Sequence, residues 1–249
     1  MSESNKYYED YFKVRLPEHA YRMESMAQSS RVRFFKTYLR NLVKPCCKIL
    51  DIGCGDFFLS RLLPEFNWTG LDINTDCSDK IIKHDVSTVP YPLQDGVYDA
   101  VVCSEVLEHV WEPRAIYSEA YRLLKPNGIF IVSTPNHDNI DWVLNHHKEM
   151  LFDDKFSHQM EHIRFYNYET HKKYLERYGF VIEDHTGCDA QFVEFFHKPR
   201  EVLFNYLNEV LKVPHDSGQV DQIIGQMFKT HDAGIMVISR KSSDASKPQ

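Results

Sequence analysis

The stretch KILDIGCGDFFLSRLL, residues 48–63, decides the fold of this chain. Its first part, KILDI, is apolar and predicts a buried strand, and an amphipathic segment that follows predicts a helix over 56–65. Gly53 and Gly55 lie between them. Glycine lets the backbone approach a ligand closely, and amide groups at the start of a helix can point at it. The stretch therefore predicts a strand, a tight turn and a helix that together bind a ligand.

The rest of the chain predicts an α/β fold. Short apolar runs alternate with amphipathic helices, which is typical of a largely parallel, doubly wound sheet covered on both faces. The runs are WTGLDI, KIIKHDV, YDAVVCS and GIFIVSTP, and the helices between and after them are expected over 112–125 and about 168–178. Two later runs, FVIEDHTG and GIMVISRK, are expected to pair antiparallel at the sheet edge, with helices near 199–212 and 217–229 between them.

We expect one domain over 1–241 and a disordered tail over 242–249. Within the domain the sequence predicts four parts. They are an N-terminal helical cap (1–44), whose main helix starts at a Ser29/Ser30 cap, a cofactor-binding core (46–135), a lid-like insertion (136–167) and a helical excursion between the last two strands (189–231).

Composition excludes several classes of protein. The chain has 249 residues, of which 43% are hydrophobic and 26% charged, as in ordinary globular proteins. Its net charge of −7 disfavours nucleic acid as a partner, because no clustering of basic residues is visible along the sequence. No apolar run reaches the length of a signal peptide or a membrane span, so we expect a cytoplasmic protein. The six cysteines show no C-x-x-C spacing and are expected to be reduced thiols.

Polar and acidic residues follow several of the predicted strands. In a doubly wound sheet, ligands bind outside the carboxyl ends of the strands, where the strand order reverses. Asp51 ends the first strand, and Asp72, 21 residues later, ends the second, at the position where an acidic side chain can accept both hydroxyls of a ribose. Asp85 follows the third strand and Cys103-Ser104-Glu105 the fourth. A dinucleotide fingerprint needs a small residue at position 58, which is Phe here, so a pyrophosphate site is disfavoured.

These segments carry a resemblance to a known family. ILDIGCG, GLDIN, HDVSTVPYPLQDGVYDAVVCSEVLEHV and EAYRLLKPNGIFIVSTPN resemble the successive motifs of class I S-adenosylmethionine-dependent methyltransferases. The resemblance is to the small-molecule branch that includes the quinone-biosynthesis O-methyltransferases, and it covers roughly 46–137, with weaker similarity in HIRFYNYETHKKYLERYGF. It implies a Rossmann-like sheet of seven strands whose last strand runs antiparallel.

The resemblance also implies the cofactor, S-adenosylmethionine, with S-adenosylhomocysteine as product. For the methionine part of the cofactor it implies Asp51, Gly53 and Gly55, with the backbone near Cys103 and Ser104 beside the amino group and sulfonium. For the nucleoside part it implies Asp72 on the ribose hydroxyls, Ile73 on the adenine face, and Asp85 with Val86 at the adenine edge. It also implies His109 as a positioning residue near the cofactor. One position departs from the family, because Phe57 stands where a third glycine is usual. Its ring either narrows the cofactor pocket or points into the core.

A methyl acceptor with a hydroxyl group must lose a proton, and histidine is the expected base. The candidates singled out for catalysis are His137 and His162, and further histidines lie at 146, 147 and 158. Residues 158–162 also match the zinc-peptidase pattern H-x-x-E-H, but a match of five residues in a chain with 13 histidines is weak, and we predict no metal site.

The sequence therefore predicts a methyltransferase that acts on a small molecule, at oxygen. A non-catalytic cofactor-binding protein on the same fold, or a methyltransferase that acts on protein or RNA, stays open as an alternative. The sequence leaves open the acceptor's identity and whether the protein is a monomer or a homodimer.

Overall fold

The computed structural model of the protein describes residues 29–75, 78–139, 162–189, 194–230, 232 and 234–243. Most of the predicted cap, most of the predicted insertion, the tail from 244 and the histidines at 146, 147 and 158 lie outside the described residues. The strands are β1 (Lys48–Ile52), β2 (Asn67–Asp72), β3 (Ile81–Lys83), β4 (Tyr98–Ser104), β5 (Leu124–Pro135), β6 (Phe180–Cys188) and β7 (Gly234–Lys241). The α-helices are α1 (Ser30–Leu42), α2 (Phe58–Leu62), α3 (Pro113–Leu123), α4 (Tyr168–Arg177), α5 (Glu194–Asn205) and α6 (Ser217–Met227).

The strands form one sheet in the order β3-β2-β1-β4-β5-β7-β6. Strands β1 to β5 are parallel, and β7 lies antiparallel between β5 and the edge strand β6. This confirms the predicted seven-stranded fold with its antiparallel last strand. The strand order reverses between β1 and β4, so the crevice expected for a ligand opens at their carboxyl ends.

Both faces of the sheet are buried. Leu50 and Ile52 point to the face covered by α3 and α4, while Ile49, just before them, points to the face covered by α1 and α2. Neighbouring residues of a strand point to opposite faces, which explains why β1 is buried at four of its five positions.

Local sequence signals set several helix ends. Ser29 caps α1, its Oγ accepting from the Val32 N–H at 3.3 Å, as predicted. Pro113 lies in the first turn of α3, and Asp216 with Gln219 forms a capping box at the start of α6. The helix predicted over 56–65 is shorter, because a left-handed residue at position 57 delays its start.

The segment between β6 and β7 is helical, as predicted, but its first helix starts earlier and changes type. Helix α5 runs over Glu194–Asn205 and continues as a π-helical turn over Tyr206–Val210. Among the described residues, no helix combines the length and the apolar character that crossing a membrane requires.

Candidate functional site

The glycine turn after β1 packs against the loop after β4. Gly53 and Gly55 both have positive φ, at 67° and 53°. The Gly53 N–H donates to the Leu71 carbonyl at 2.7 Å, and a Cβ on Gly53 would lie 2.4 Å from Cγ2 of Val106. A Cβ on Gly55 would meet no atom of the residues that the structure describes within 4 Å. The first glycine therefore permits close packing of two loops, whereas the second faces open space from which a ligand can approach.

Asp72 is held at this turn by two backbone amides. Its Oδ2 accepts from the Gly55 N–H at 2.8 Å and its Oδ1 from the Asn74 N–H at 2.9 Å. A carboxylate oxygen has two lone pairs, so each can accept one more hydrogen bond. The side chain is thus oriented before any ligand arrives and can accept from a vicinal diol such as that of a ribose.

Asp51 lies beside Asp72 and is only 4% exposed. Its burial, together with the negative charges of Asp72 and then Asp56, raises the pKa of the Asp51 carboxyl to about 8. Burial also raises the pKa of Asp72, although its amide partners oppose that shift. Two buried carboxyls of this kind would be stabilised as anions by a cationic ligand group.

Phe57 does not plug the crevice. It has a φ of 61° and is 3% exposed, and its ring packs edge-on against Trp68 at 6.4 Å between centroids, within the core on the face that α1 covers. Of the two orientations left open by the sequence, the structure has the one that points into the core. The left-handed backbone explains why glycine is usual at this position.

The residues predicted at the adenine end lie in the loops after β2 and β3. Ile73 directly follows β2 and is half-buried. Asp85 accepts the Ser87 N–H on Oδ1 at 2.9 Å, and the buried Val86 accepts the Tyr91 hydroxyl on its carbonyl at 2.7 Å. Both loops are therefore fixed by local hydrogen bonds, at the same edge of the sheet as Asp72.

The side chains at the end of β4 make contacts within the protein. The Cys103 side chain is fully buried, and burial raises the pKa of its thiol. Ser104 Oγ lies 3.0 Å from Ser133 Oγ, which in turn donates to Glu105 Oε1 at 3.0 Å. That the backbone near Cys103 and Ser104 lies beside the amino group and sulfonium of the cofactor stays a prediction.

An ion-pair network that sequence reasoning missed lies next to this strand end. Arg31 Nη1 pairs with Glu105 Oε2 at 2.9 Å, and its Nη2 pairs with Asp189. The three side chains come from α1, the loop after β4 and the end of β6. No local pattern relates them, so nothing in the sequence could have indicated the contact.

His162 packs against His109. Their rings lie 4.8 Å apart between centroids, and the Ile163 and Arg164 amides donate to the Glu108 carbonyl at 2.9 and 3.2 Å. Burial, and then the neighbouring His109, lowers the pKa of His162 to about 4, so its imidazole is neutral near pH 7. Of the two predicted catalytic histidines, this one adjoins the loop after β4.

His137 lies in a different setting. Its backbone N–H donates to the Tyr166 carbonyl at 2.7 Å, and its ring lies 5.0 Å from that of Phe165. Its role as a base stays a prediction.

Glu108 is a residue of this region that the sequence did not single out. It is 1% exposed, and within the described part of the chain neither of its carboxylate oxygens has a hydrogen-bond partner. Its Oε1 lies 3.7 Å from His109 Nε2. Burial, and then the charge of Glu105, raises the pKa of the Glu108 carboxyl well above its usual range.

The fold and the crevice are typical of proteins that bind a nucleotide-like cofactor, and the comparisons give the family of this chain. The sequence model of a family described as a methyltransferase domain matches residues 18–185. The chain belongs to this family of S-adenosylmethionine-dependent methyltransferases, as its motifs predicted.

Curated relatives match a part of the chain. Over 115 residues this chain is 32% identical to the mitochondrial ubiquinone biosynthesis O-methyltransferase of Saccharomyces cerevisiae. The match covers 40% of this chain and 37% of that protein. Over 150 residues it is 28% identical to the sterol 24-C-methyltransferase of Schizosaccharomyces pombe. That match covers 53% of this chain and 39% of that protein. The match thus spans less than half the length of either relative.

Solved structures share the fold over most of the chain. A SAM-dependent methyltransferase from Archaeoglobus fulgidus superposes with a TM-score of 0.55 at 21% identity, covering 84% of this chain and 94% of that one. The phosphoethanolamine N-methyltransferase 2 of Haemonchus contortus, solved with S-adenosyl-L-methionine, gives a TM-score of 0.54 at 17% identity, covering 83% of this chain and 51% of that one.

Proposed function

We propose that this protein transfers the methyl group of S-adenosylmethionine to a hydroxyl oxygen of a small molecule. The observation that carries the proposal is the crevice at the ends of β1 and β2, where the Gly55 amide holds Asp72 beside an open turn. In the proposed complex the Asp72 carboxylate accepts the ribose hydroxyls, and the cofactor's ammonium group lies near Asp51. Ile73, Asp85 and Val86 line the adenine.

The charge of the crevice supports a cationic cofactor. Asp51 and Asp72 are both almost fully buried, and neither has a lysine or arginine partner among the described residues. The ammonium and sulfonium groups of S-adenosylmethionine supply the positive charge that such a pair favours. Gly53 keeps the loop after β4 close, so its backbone borders the same crevice.

The choice of an oxygen acceptor rests on relatives and on the histidines. The yeast relative is named as an O-methyltransferase, whereas the sterol relative is named as a C-methyltransferase. His162 is neutral near pH 7 and lies beside His109, close to the loop that borders the crevice. Two exposed rings nearby, Trp111 and Phe165, suit an apolar or aromatic acceptor.

The test is methyl transfer from isotope-labelled cofactor to a panel of phenols, catechols, amines and an activated carbon acid. We expect labelled methyl ether, identified by mass spectrometry and NMR, from at least one hydroxylated substrate. Product labelled only on nitrogen or carbon would overturn the oxygen assignment, and binding of cofactor without turnover on any acceptor would favour a binding protein instead.

One observation favours a second candidate, an anionic macromolecular acceptor such as RNA. Four cationic side chains and one carboxylate, Glu112, line a groove of about 470 Å³ that the sequence did not reveal as a cluster; the cations are Arg114, Arg164, Lys173 and Arg177. Glu112 pairs with Arg114, so the positive charge in excess comes from the other three. Arg164 also donates to the Val110 and Trp111 carbonyls, so the groove lies beside the loop after β4.

We would take RNA binding as support for this second candidate under two conditions. The binding must weaken steeply between low and physiological salt, and it must be lost in the double variant Lys173→Gln/Arg177→Gln. Salt-independent or absent binding would reject it. Location in the cytoplasm and the oligomeric state stay predictions.

A further inference from the structure

A row of hydrogen bonds runs along the carboxyl edge of the sheet, from the end of β4 to α1. Ser104 Oγ lies 3.0 Å from Ser133 Oγ on the neighbouring strand β5. Ser133 Oγ donates to Glu105 Oε1 at 3.0 Å, and Glu105 Oε2 pairs with Arg31 Nη1 at 2.9 Å. Ser133 is fully buried, whereas Ser104 is only half-buried. The row therefore leads from a partly exposed hydroxyl to a carboxylate that a guanidinium holds.

The Glu105 carboxylate fixes the direction of these hydrogen bonds. An ionised carboxylate only accepts, so Ser133 donates its single proton to Glu105. Towards Ser104 the oxygen of Ser133 can then only accept, which makes Ser104 the donor between the two serines. Since its own proton is engaged in this way, Ser104 Oγ has a lone pair left for a further donor. The row thus ends in a hydroxyl oxygen that can accept a hydrogen bond from a ligand hydroxyl.

Ser104 lies at the edge of the crevice. In the pairing of β4 with β1, Cys103 lies opposite Ile52, so the residues that follow them, Ser104 and Gly53, leave the sheet at the same edge. The next residue, Glu105, has a φ of 56°. This left-handed backbone is uncommon for a residue that has a side chain, and such residues are concentrated at active sites. The position of the row therefore suits contact with a substrate.

We propose that Ser104 and Ser133 relay the proton of the acceptor's hydroxyl group to Glu105 during methyl transfer. This serine relay rests on the proposed function, and it gives the proton a destination other than His137 or His162. The acceptor's proton moves to Ser104 Oγ while each serine passes its own proton to the next oxygen, and Glu105 Oε1 takes the last one. The acceptor oxygen's lone pair forms the bond to the methyl carbon, and the electron pair of the broken C–S bond stays on sulfur as S-adenosylhomocysteine forms. Glu105 afterwards releases its proton to water.

The surroundings of Glu105 suit a group that takes up a proton. Burial raises the pKa of its carboxyl; Arg31 opposes this shift, and the charge of Asp189 adds to it. Glu108, on the turn after β4, is a further acid whose charge acts on the same pair. A base is most effective when its pKa lies near the working pH. Because Arg31 also pairs with Asp189, its guanidinium keeps an anionic partner after Glu105 is protonated.

The first experiment measures methyl transfer to a hydroxylated acceptor over a range of pH. Ser104→Ala and Glu105→Gln should each lower kcat by about a hundredfold, a usual contribution of a positioned base, and should change KM for the acceptor much less. The fall of the wild-type rate at low pH should be missing in Glu105→Gln. Ser104→Thr keeps a hydroxyl and should restore most of kcat. The control is Ser118→Ala on α3, which removes a hydroxyl that donates to the Ala115 carbonyl and should leave kcat unchanged.

A second measurement examines the serine relay without turnover. Infrared difference spectroscopy over a range of pH follows the protonation of the Glu105 carboxyl, whose band is assigned by its loss in Glu105→Gln. The hydrogen bond from Ser133 stabilises the ionised carboxylate, so Ser133→Ala should raise the pKa of Glu105. Ser118→Ala should leave that pKa unchanged. S-adenosylhomocysteine should still bind every variant, which shows that the variants are folded.

The outcomes separate the serine relay from the proposed function. If the wild type forms no methyl ether with any hydroxylated acceptor, the proposed function is overturned and the relay with it. If the wild type is active, a wild-type kcat in Ser104→Ala would overturn the relay alone. So would a fall of the rate at low pH that is lost in His137→Gln or His162→Gln but kept in Glu105→Gln. A Glu105 pKa that Ser133→Ala leaves unchanged would overturn the hydrogen bonding on which the relay depends.

Discussion

Gly53 and Gly55 are one residue apart, but different surroundings require each to lack a side chain. Both have positive φ, so alanine costs about 1–2 kcal/mol of backbone strain at either position. Gly53→Ala also forces a Cβ into Val106, whereas Gly55→Ala places it in open space.

We therefore expect Gly53→Ala to reduce the free energy of unfolding by clearly more than Gly55→Ala, as measured by urea denaturation. Gly55→Ala should instead reduce the affinity for S-adenosylhomocysteine, because its methyl group occupies space that the cofactor needs. Equal stability losses, or full affinity in Gly55→Ala, would contradict this assignment of the two glycines.

Asp51 gives the ligand-free protein a pH dependence with a definite sign. Its pKa is raised from the usual value near 4 to about 8, so between these values the folded state holds a proton that the unfolded state has released. The free energy of unfolding should then fall as the pH rises from about 4 to about 8. Chemical denaturation over this pH range should show that the fall in the free energy of unfolding is missing in Asp51→Asn. A variant with the same slope as the wild type would refute the shifted pKa.

Part of the site could be predicted at the residue scale. The turn glycines and Asp72 follow from local spacing, since each lies at the end of a predictable strand. Arg31 and the contact of His162 with Glu108 could not be predicted, because they depend on where distant segments pack. The direction of the Phe57 side chain was also not predictable, because it depends on the packing of its ring against Trp68 in the core.

At the scale of elements, the start of α2 depends on Phe57. Its ring fills the core beside Trp68, while its backbone closes the turn. We expect Phe57→Ala to reduce the free energy of unfolding by about 3 kcal/mol or more, the usual cost of removing a buried ring. Affinity for S-adenosylhomocysteine should stay within about twofold of the wild type, provided that the variant is measured where it is folded.

The control is Phe58→Ala, since Phe58 is half-buried and should cost less. Greatly weakened cofactor binding by folded Phe57→Ala would show that the ring supports the crevice directly.

Element types were predictable where periodicity was strong, as in β4 and α4, whose bounds agree with the sequence within a residue or so. Boundaries were less predictable where the backbone changes type without a proline or glycine signal. The left-handed residue before α2 and the π-helical turn after α5 are of this kind.

At the scale of the whole molecule, Arg31 joins α1 to the ends of β4 and β6. Its partners include Asp189, which is 3% exposed. Removing one member of a buried ionic network leaves its partners uncompensated, so Arg31→Ala should reduce the free energy of unfolding by about 3 kcal/mol. The matched control is Arg40→Ala on the same helix, whose pair with Glu65 is exposed and should contribute less than about 1 kcal/mol. Similar losses in the two variants would contradict a structural role of the network.

The order of the sheet was predictable from the alternation of strands and helices, and the antiparallel β7 followed from the family resemblance. Contacts between side chains of helices and loops that are distant in sequence could not be predicted. The basic groove beside α4 shows why, because its four cations are spread over 64 residues of sequence and only the packing of α3 and α4 brings them together.

The central claim, that the crevice at β1 and β2 binds the cofactor through Asp72, is tested most directly by calorimetric titration with S-adenosylhomocysteine. We expect one binding site in the wild type and an affinity weakened by about tenfold or more in Asp72→Asn, which corresponds to about 1.4 kcal/mol. The control is Asp99→Asn, which should leave the affinity unchanged, because the Asp99 carboxylate lies at the start of β4, at the opposite edge of the sheet. No binding by the wild type, or equal binding by Asp72→Asn, would contradict it.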